Sequence, residues 1–435
     1  MDTTTLIICI YALVVLTIMF IVMAISLSKD RKQNQKADNT ENKREIALEK
    51  ELDETKKQLE EVNRQSVVKK EEESEAKTRF PMLTSIDKNM EAKQDNFFDN
   101  TVSLEDICDR LRNYSANQLK LYYSLHDIRS FVAGLGTSHL ILMQGMSGTG
   151  KTSLAVAFGQ FINNESTIVP VQPMWKESSD LIGYYNEFTN KFNETNMLYS
   201  LYRALYTKDM YITVLDEMNI ARIEYYFAEF LSLLEIPNPN KRLIRVVSET
   251  KRNDPKKLKN GEILVSENMW FIGTANNDDS TFAISDKVYD RAMILNLDKR
   301  ATPFEAPYTE PVRISSEHFS KLIRKAGLSY SITSRNLRRI SLLDEYMRKN
   351  LHVSFGNRIM AQIKKFVSIY IACGGKEIEA IDDILAKKVM RKLGSQNPVF
   401  VKNALPGLYE CINDLFGEEG LPMCKEFLNH IEMSV

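Results

Sequence analysis

Sulfur and imidazole chemistry are scarce in this chain: five histidines and five cysteines in 435 residues. Cys9, Cys108, Cys373, Cys411 and Cys424 are scattered, with no C-x-x-C pair and no histidine at metal-ligand spacing. A disulfide-stapled domain and a structural zinc module are therefore excluded, and the cysteines read as structural thiols in a reducing compartment. An excess of one charge is lacking too. Lys+Arg 57 against Asp+Glu 58 leaves a formal charge of -1, so no global field draws the protein to nucleic acid or an acidic partner, and any basic patch must be local. What is plentiful is apolar surface: 43% hydrophobic residues in a chain of this length can fill the cores of two or three domains.

One run of that apolar content is continuous. Leu6 to Leu27, LIICIYALVVLTIMFIVMAISL, carries no charge and is long enough to cross a hydrocarbon layer of about 30 Å as a helix. Ala24 and Ser26 imitate a cleavage site, but MDTTT ahead of the run has no lysine or arginine, which weighs against a cleaved signal peptide. Lys29, Arg31 and Lys32 follow the span and Asp2 precedes it, so the positive-inside tendency puts the rest of the chain in the cytoplasm. The expectation is a single-pass membrane protein anchored by residues 1–28.

Residues 29–98 read as a tether. From Lys29 to Arg79 there are 14 basic and 14 acidic residues and almost no aromatics. Leu48, Leu52, Thr55, Leu59 and Val62 alternate spacings of four and three, which fits either a short coiled-coil seam or a charged spacer helix that never pairs. Residues 80–98, with Pro81 and many polar side chains, read as the hinge into the folded part.

Past the hinge, LILMQGMSGTGKTSLAVAF places a glycine-rich turn between an apolar run and a helical pattern. Gly145, Gly150, Lys151 and Thr152 fit G-x-x-x-x-G-K-[ST] without a gap. The loop Gly145, Met146, Ser147, Gly148, Thr149, Gly150, Lys151, Thr152, Ser153 is thus a phosphate cradle: bare backbone N–H groups approach phosphate oxygens at a helix N-terminus. Lys151 neutralises the terminal phosphates and Thr152 offers a hydroxyl to Mg²⁺. A second apolar strand, in MYITVLDEMN, ends in Asp216 and Glu217, placed to hold the metal and to polarise the attacking water respectively. A third, NMWFIGTAN, ends in Asn276, a neutral amide for the γ-phosphate or the water. Between the second and third strands, residues 241–267 read as a hairpin insert whose Lys251, Arg252, Lys256, Lys257 and Lys259 either touch a polyanion or form a solvated tip.

From Leu104 to Met347 these residues resemble the AAA+ ATPases, and within them the McrB-like branch, the motor subunits of modification-dependent restriction systems. The resemblance is carried by GMSGTGKTS, VQPMWKESSDLIGYYNEFTNKF, VLDEMNIARIEYYFAEFLSLLE, FIGTANNDDSTFAISDKVYDRA and SRNLRRI. It implies that Gly145 to Ser153 is the Walker A loop, Asp216 and Glu217 the Walker B pair, Asn219 the amide that follows that pair, and Asn276 sensor 1. It further implies that Arg291, in YDRA, is the arginine finger reaching the nucleotide of the next subunit, with a structural salt bridge as the other reading. Arg335, in ITSRNL, would be sensor 2, with Arg338 as the substitute. Tyr184, Tyr185 and Phe188 lie where this branch carries a hairpin facing the channel of a ring, and either grip a partner or pack ordinarily. McrB-type GTPases typically read Asn-Thr-Ala-Asp-Arg-Ser where this chain has Asn276, Asn277, Asp278, Asp279, Ser280 and Thr281. The arginine is missing, so ATP with Mg²⁺ is expected ahead of GTP.

The fold class that follows is α/β: a P-loop AAA+ core over residues 99–312, a parallel sheet flanked by helices with β-hairpin inserts. An α-helical lid over 313–435 follows it, and the transmembrane helix and charged tether precede it. Neither a P-D…(D/E)-x-K arrangement on an apolar strand nor a domain for reading modified bases is present. The resemblance implies an NTPase motor in a homo-oligomeric ring, such as a hexamer, that activates a nuclease-type partner in defence against foreign DNA. A MoxR-like chaperone maturing a membrane or metal-dependent complex, and a nucleotide-gated membrane scaffold with little turnover, are the alternatives.

Overall fold

The computed structural model describes residues 3–29, 78–91, 97–276, 281–298 and 301–434, which divide into two units, 1–76 and 77–435. In the first unit one helix, α1 (Thr3–Lys29), runs through the apolar segment. Apolar residues surround it evenly instead of forming one stripe, so it has no aqueous face. Thr17 Oγ1 turns back onto the carbonyls of Val14 at 2.9 Å and Leu13 at 3.0 Å, which satisfies the one hydroxyl in the middle of the run. Side chains are described for residues 10–23, fewer than the ~20 a span needs; among the described residues no helix is long and apolar enough to cross a membrane. The coiled-coil seam expected from Leu48 to Val62 lies outside the described residues.

In the second unit the strands, in chain order, are β1 (Leu140–Gln144), β2 (Thr167–Pro170), β3 (Gly183–Asn186), β4 (Lys191–Glu194), β5 (Tyr211–Asp216), β6 (Leu243–Arg245), β7 (Glu262–Leu264), β8 (Met269–Ala275) and β9 (Met293–Asn296). The first helices are α2 (Pro81–Glu91), α3 (Leu104–Leu119), α4 (Leu125–Thr137), α5 (Lys151–Phe161), α6 (Ser178–Ile182) and α7 (Asn196–Ala204). They are followed by α8 (Ile223–Tyr226), α9 (Ala228–Leu233), α10 (Asp286–Arg291), α11 (Ser316–Ser329), α12 (Ser334–Leu351), α13 (Gly356–Ala372), α14 (Glu377–Lys388), α15 (Pro398–Phe416) and α16 (Pro422–Ser434).

Five strands form one parallel sheet in the order β2-β5-β8-β1-β9. Both of its faces are covered, which is why β1 and β8 read as unbroken apolar runs. Side chains alternate between the faces: Leu140 and Leu142 enter one apolar cluster, Ile141 and Met143 the other. The second of these clusters continues through α11 to α16 as far as Leu428, so the C-terminal helices share a core with the sheet. Polar caps fix where the helices start. Ser103 and Asp106 close a capping box on α3, and Ser124, Thr195 and Ser315 each accept a backbone N–H at the start of α4, α7 and α11.

The hinge expected over residues 80–98 is corrected over 78–91, which form an ordered strap. Phe80 is fully buried and stacks on Phe192 with ring centroids 4.8 Å apart, and Leu83 is buried as completely. Glu194 caps α2 by accepting from Met82 N at 2.7 Å and Leu83 N at 2.8 Å. Arg79 pairs in bidentate fashion with Asp254, Nε to Oδ1 at 2.8 Å and Nη2 to Oδ2 at 2.7 Å. Asp87 accepts from Tyr202 Oη at 2.5 Å and Lys256 N at 3.0 Å, and also from Tyr206 Oη. Pro81 starts a helix here because the first helical N–H needs no partner. The strap thereby holds two antiparallel hairpins: β3–β4, which the resemblance implies, and β6–β7, which the sequence itself marks as an insert.

Phe80→Ala removes a buried ring and leaves a cavity against Phe192, so unfolding in denaturant should show a loss of about 3–5 kcal/mol. An unchanged midpoint and slope would mean that the strap is not part of the folded unit.

Candidate active site

Three strand ends meet side by side because β8 lies between β1 and β5. Gln144 pairs with Ala275, and Leu215 with Gly273, so the chain leaves the same edge of the sheet at Gly145, Asp216 and Asn276. The turn after β1 cannot carry side chains at its ends. Gly145 has φ +139, and a Cβ there would meet Leu297 O at 2.5 Å; Gly150 has φ +94 with Tyr123 Oη 3.1 Å from the same position. Between them Met146, Ser147 and Gly148 are exposed, while Thr149 Oγ1 closes the turn on Met146 O at 2.9 Å. Tyr123 supports the loop from below, donating to Gly150 O at 3.0 Å. Burial raises its phenol well above the ordinary tyrosine range, so it stays a donor at any cellular pH. Lys151 is buried, and its Nζ donates to Gly145 O and Met146 O, each at 2.8 Å. The ammonium is thus held under the loop that would wrap a phosphate.

Asp216 is reached from two sides. Thr152 Oγ1, in the first turn of α5, donates to Asp216 Oδ1 at 2.7 Å, and Thr274 Oγ1, in β8, donates to the same oxygen at 2.7 Å. Thr274 in turn accepts from Glu217 N at 2.9 Å. Glu217 has φ 54 and ψ 48, a left-handed conformation that costs a non-glycine residue roughly 1–3 kcal/mol. The Thr274 contact, Ile220 N on Glu217 O at 2.9 Å, and Tyr226 Oη on Met218 O at 2.8 Å together impose it. The turn leaves the Glu217 side chain exposed beside the half-buried Asp216.

The remaining predicted residues are dispersed. Asn219 is buried and uses its amide on main chain: Nδ2 donates to Asn276 O at 2.8 Å, and Oδ1 accepts from Asn276 N at 3.3 Å. It therefore positions the end of β8. Asn276 starts from that fixed backbone; residues 277–280 lie outside the described residues. Arg291 ends α10, where Nη2 meets Glu235 Oε2 at 3.1 Å and Nη1 donates to Lys287 O at 2.8 Å. Glu235 Oε1 also pairs with Arg358 at 2.6 Å. Arg335 is exposed in the first turn of α12, and α12 packs on α15. A cleft of ≈ 780 Å³ opens beside the loop at Gln144 and Met146. The lid cations at that cleft are Lys387 and Arg391, joined there by Phe427 and His430 of α16. Lys387 is ion-paired with Asp383. Burial tends to raise the Asp383 carboxyl, but the charge of Lys387 and the bond from His126 outweigh it and hold Asp383 below the usual range.

Thr274 was the residue that motif spacing missed. Its signal was a hydroxyl, 2% exposed, in an otherwise apolar buried strand, where a polar group needs a partner. Tyr184 and Phe188 stand on the β3–β4 hairpin at 54% and 99% exposure, while Tyr185 is half-buried with Arg79 and Lys251 over its ring. Lys251, Arg252, Lys256, Lys257 and Lys259, between β6 and β7, are all exposed.

The donor set suits a triphosphate with Mg²⁺. Thr152 and Asp216 present hard oxygens that already touch, and Mg²⁺ commonly takes one or two protein oxygens with the rest from phosphate and water. Among the described residues no cluster of three His, Cys, Asp or Glu offers a separate metal site.

Residues 140–292 match the AAA domain of the dynein-related subfamily, so this stretch is an AAA+ ATPase domain, with a nucleotide-binding site that typically takes Mg²⁺. It contains the loop, both carboxylates, Thr274, Asn276 and Arg291. No curated protein matches the chain. Among solved structures, a candidate ATPase of Cytophaga hutchinsonii is 13% identical at a TM-score of 0.37, covering 85% of this chain and 98% of its own. A full-length MCM homologue of Methanopyrus kandleri is 9% identical at a TM-score of 0.38, covering 68% of this chain and 64% of its own. Likenesses this distant bear on neither fold nor activity.

Thr274→Val keeps the shape but removes both the donor to Asp216 and the acceptor for Glu217 N. ATP turnover should fall by about tenfold or more, a loss of at least ~1.4 kcal/mol in transition-state stabilisation, while Thr274→Ser keeps most of it. Equal turnover by Thr274→Val and the unmodified protein would sink the assignment.

Proposed function

We propose that this chain is an ATP-hydrolysing AAA+ motor of the McrB-like branch, anchored in a membrane by its first helix and acting as a ring of identical copies. The observation that carries the hydrolytic reading is the Thr152–Asp216–Thr274–Glu217 arrangement. One threonine connects the metal-binding carboxylate to the backbone that aims the catalytic one. Lys151 exchanges its two loop carbonyls for phosphate oxygens, and the loop N–H groups bind the rest of the charge. Bound Mg²⁺, held by Thr152 and Asp216, supplies charge neutralisation at the phosphates. Glu217 accepts the proton of the attacking water, and Asn276 orients that water or the γ-phosphate through its amide.

Sharing of sites between subunits is supported by where Arg291 stands. It precedes β9, whose first residue, Met293, pairs with Ile141, whereas Gly145 follows the far end of β1. The sheet thus separates Arg291 from its own cradle by a strand length of about 10 Å or more. An arginine so placed serves the next copy. The exposed Phe188 and Tyr184 supply an apolar contact for the partner that the motor remodels. The quoted motifs favour a nuclease-type effector in defence against foreign DNA as that partner.

Glu217→Gln should still bind ATP but lose most hydrolysis, whereas Lys151→Ala should weaken binding itself; a fluorescent ATP analogue and phosphate release measure the two separately. Wild-type turnover in Glu217→Gln refutes the hydrolytic role.

The anchor reading rests on α1 having no polar face and on the basic residues after it. Without residues 1–28 the protein should leave the membrane fraction and still fold, since residues 77–435 are a compact unit of their own. Retention on the bilayer at high salt, or a C-terminal tag exposed outside the cell, contradicts it.

A further inference from the structure

We propose that Tyr289 is a positioning residue for Arg291: it fixes the helix that presents this arginine to the next subunit. The inference rests on the shared-site reading above. Tyr289 lies in α10, two residues before Arg291, and lines the cleft beside the cradle of its own subunit. Its phenol oxygen accepts a hydrogen bond from Gln144 Nε2 at 2.7 Å. Gln144 is the last residue of β1, so the contact registers α10 against the rigid strand that feeds the phosphate loop. Burial raises the Tyr289 phenol above its ordinary range, which keeps it neutral beside the amide.

The lid completes the setting. The Arg391 guanidinium lies 3.6 Å from the centroid of the Tyr289 ring and pairs with Asp286, at the start of α10, at 2.6 Å. Lys388 Nζ donates to Tyr289 O at 2.6 Å and Ala292 O at 2.5 Å. Lys392 meets Asp290 at 3.3 Å, and Gln362 Nε2 donates to Asp290 O at 3.1 Å. A six-residue helix has little stability of its own, so these contacts decide its direction.

Arg291 itself is poised to move. Its Nε is buried without a hydrogen-bond partner among the described residues, and its acid partner, Glu235, is also held by Arg358. When the Arg291 side chain leaves Glu235, Arg358 still neutralises the carboxylate, so release does not strand a charge. A neighbour's phosphates can then recruit the guanidinium while Tyr289 keeps its helix in place.

The test uses full-length subunits mixed in pairs. Arg291→Ala protein contributes intact cradles, Lys151→Ala protein contributes intact arginines, and their mixture should regain turnover that neither has alone. Tyr289→Phe keeps the ring under Arg391 and removes only the bond to Gln144. Added to the Lys151→Ala subunit, it should cut the regained turnover by about fivefold with KM for ATP unchanged; added to the Arg291→Ala subunit, it should change the turnover by less than about twofold. Thermal melting checks that Tyr289→Phe folds. Equal losses in both placements, or a loss only in the Arg291→Ala subunit, overturn the proposal, as does no loss in either. If the unmodified protein hydrolyses ATP but the starting mixture regains nothing, the shared-site reading falls and this inference with it; absent turnover in the unmodified protein overturns the ATPase reading itself.

Discussion

Everything chemical in this fold depends on β8 being threaded between the strand that feeds the phosphate loop and the strand that ends in Asp216. Parallel strands in register deliver their C-terminal ends to one edge, and side-chain alternation decides which residues look along that edge. With β8 in the middle, Thr274 stands next to Asp216, and its single hydroxyl donates to the carboxylate while accepting from Glu217 N. A hydroxyl can do both at once, which neither an amide nitrogen nor a carboxylate can. The left-handed backbone at Glu217 is held by this set of bonds, which places strain at the exposed carboxylate beside Asp216.

The same sheet sets the phosphate loop apart from Arg291. Its cradle lies at the C-terminal edge of the strands, while Arg291 enters at the opposite end of β9. The lid cannot swing independently of that arginine, because Arg391, Lys388 and Lys392 all hold α10. Val288 and Ala292 enter one apolar cluster and the lid helices the other, so these polar contacts link α10 to the lid. The strap from Thr78 to α2 joins the two hairpin inserts through Arg79, Phe80 and Asp87. The described part of the second unit therefore begins on the elements that carry Phe188 and the exposed lysines.

The sequence by itself determined the strand–loop–helix of the cradle, the standing of Asp216 and Glu217 at the end of an apolar strand, and the β6–β7 hairpin. These are local: glycine spacing, apolar runs and turn residues act within about twenty positions of one another. It also marked the strand that carries Thr274, but not the role of that hydroxyl, which depends on which strands become neighbours. Only the tertiary structure decided the rest. Pro81 and the polar residues around it read as a hinge until Glu194, more than a hundred residues away, capped the helix they begin. Arg335 stands exposed in the first turn of α12, and the arginine that lines the cleft is Arg391, for which the sequence suggests no role. Tyr289 opens the quoted YDRA motif, but its meaning comes from contacts with Gln144 on one side and Arg391 on the other. Such roles are set by distance in space between groups far apart in the chain, and no periodicity or spacing encodes that distance.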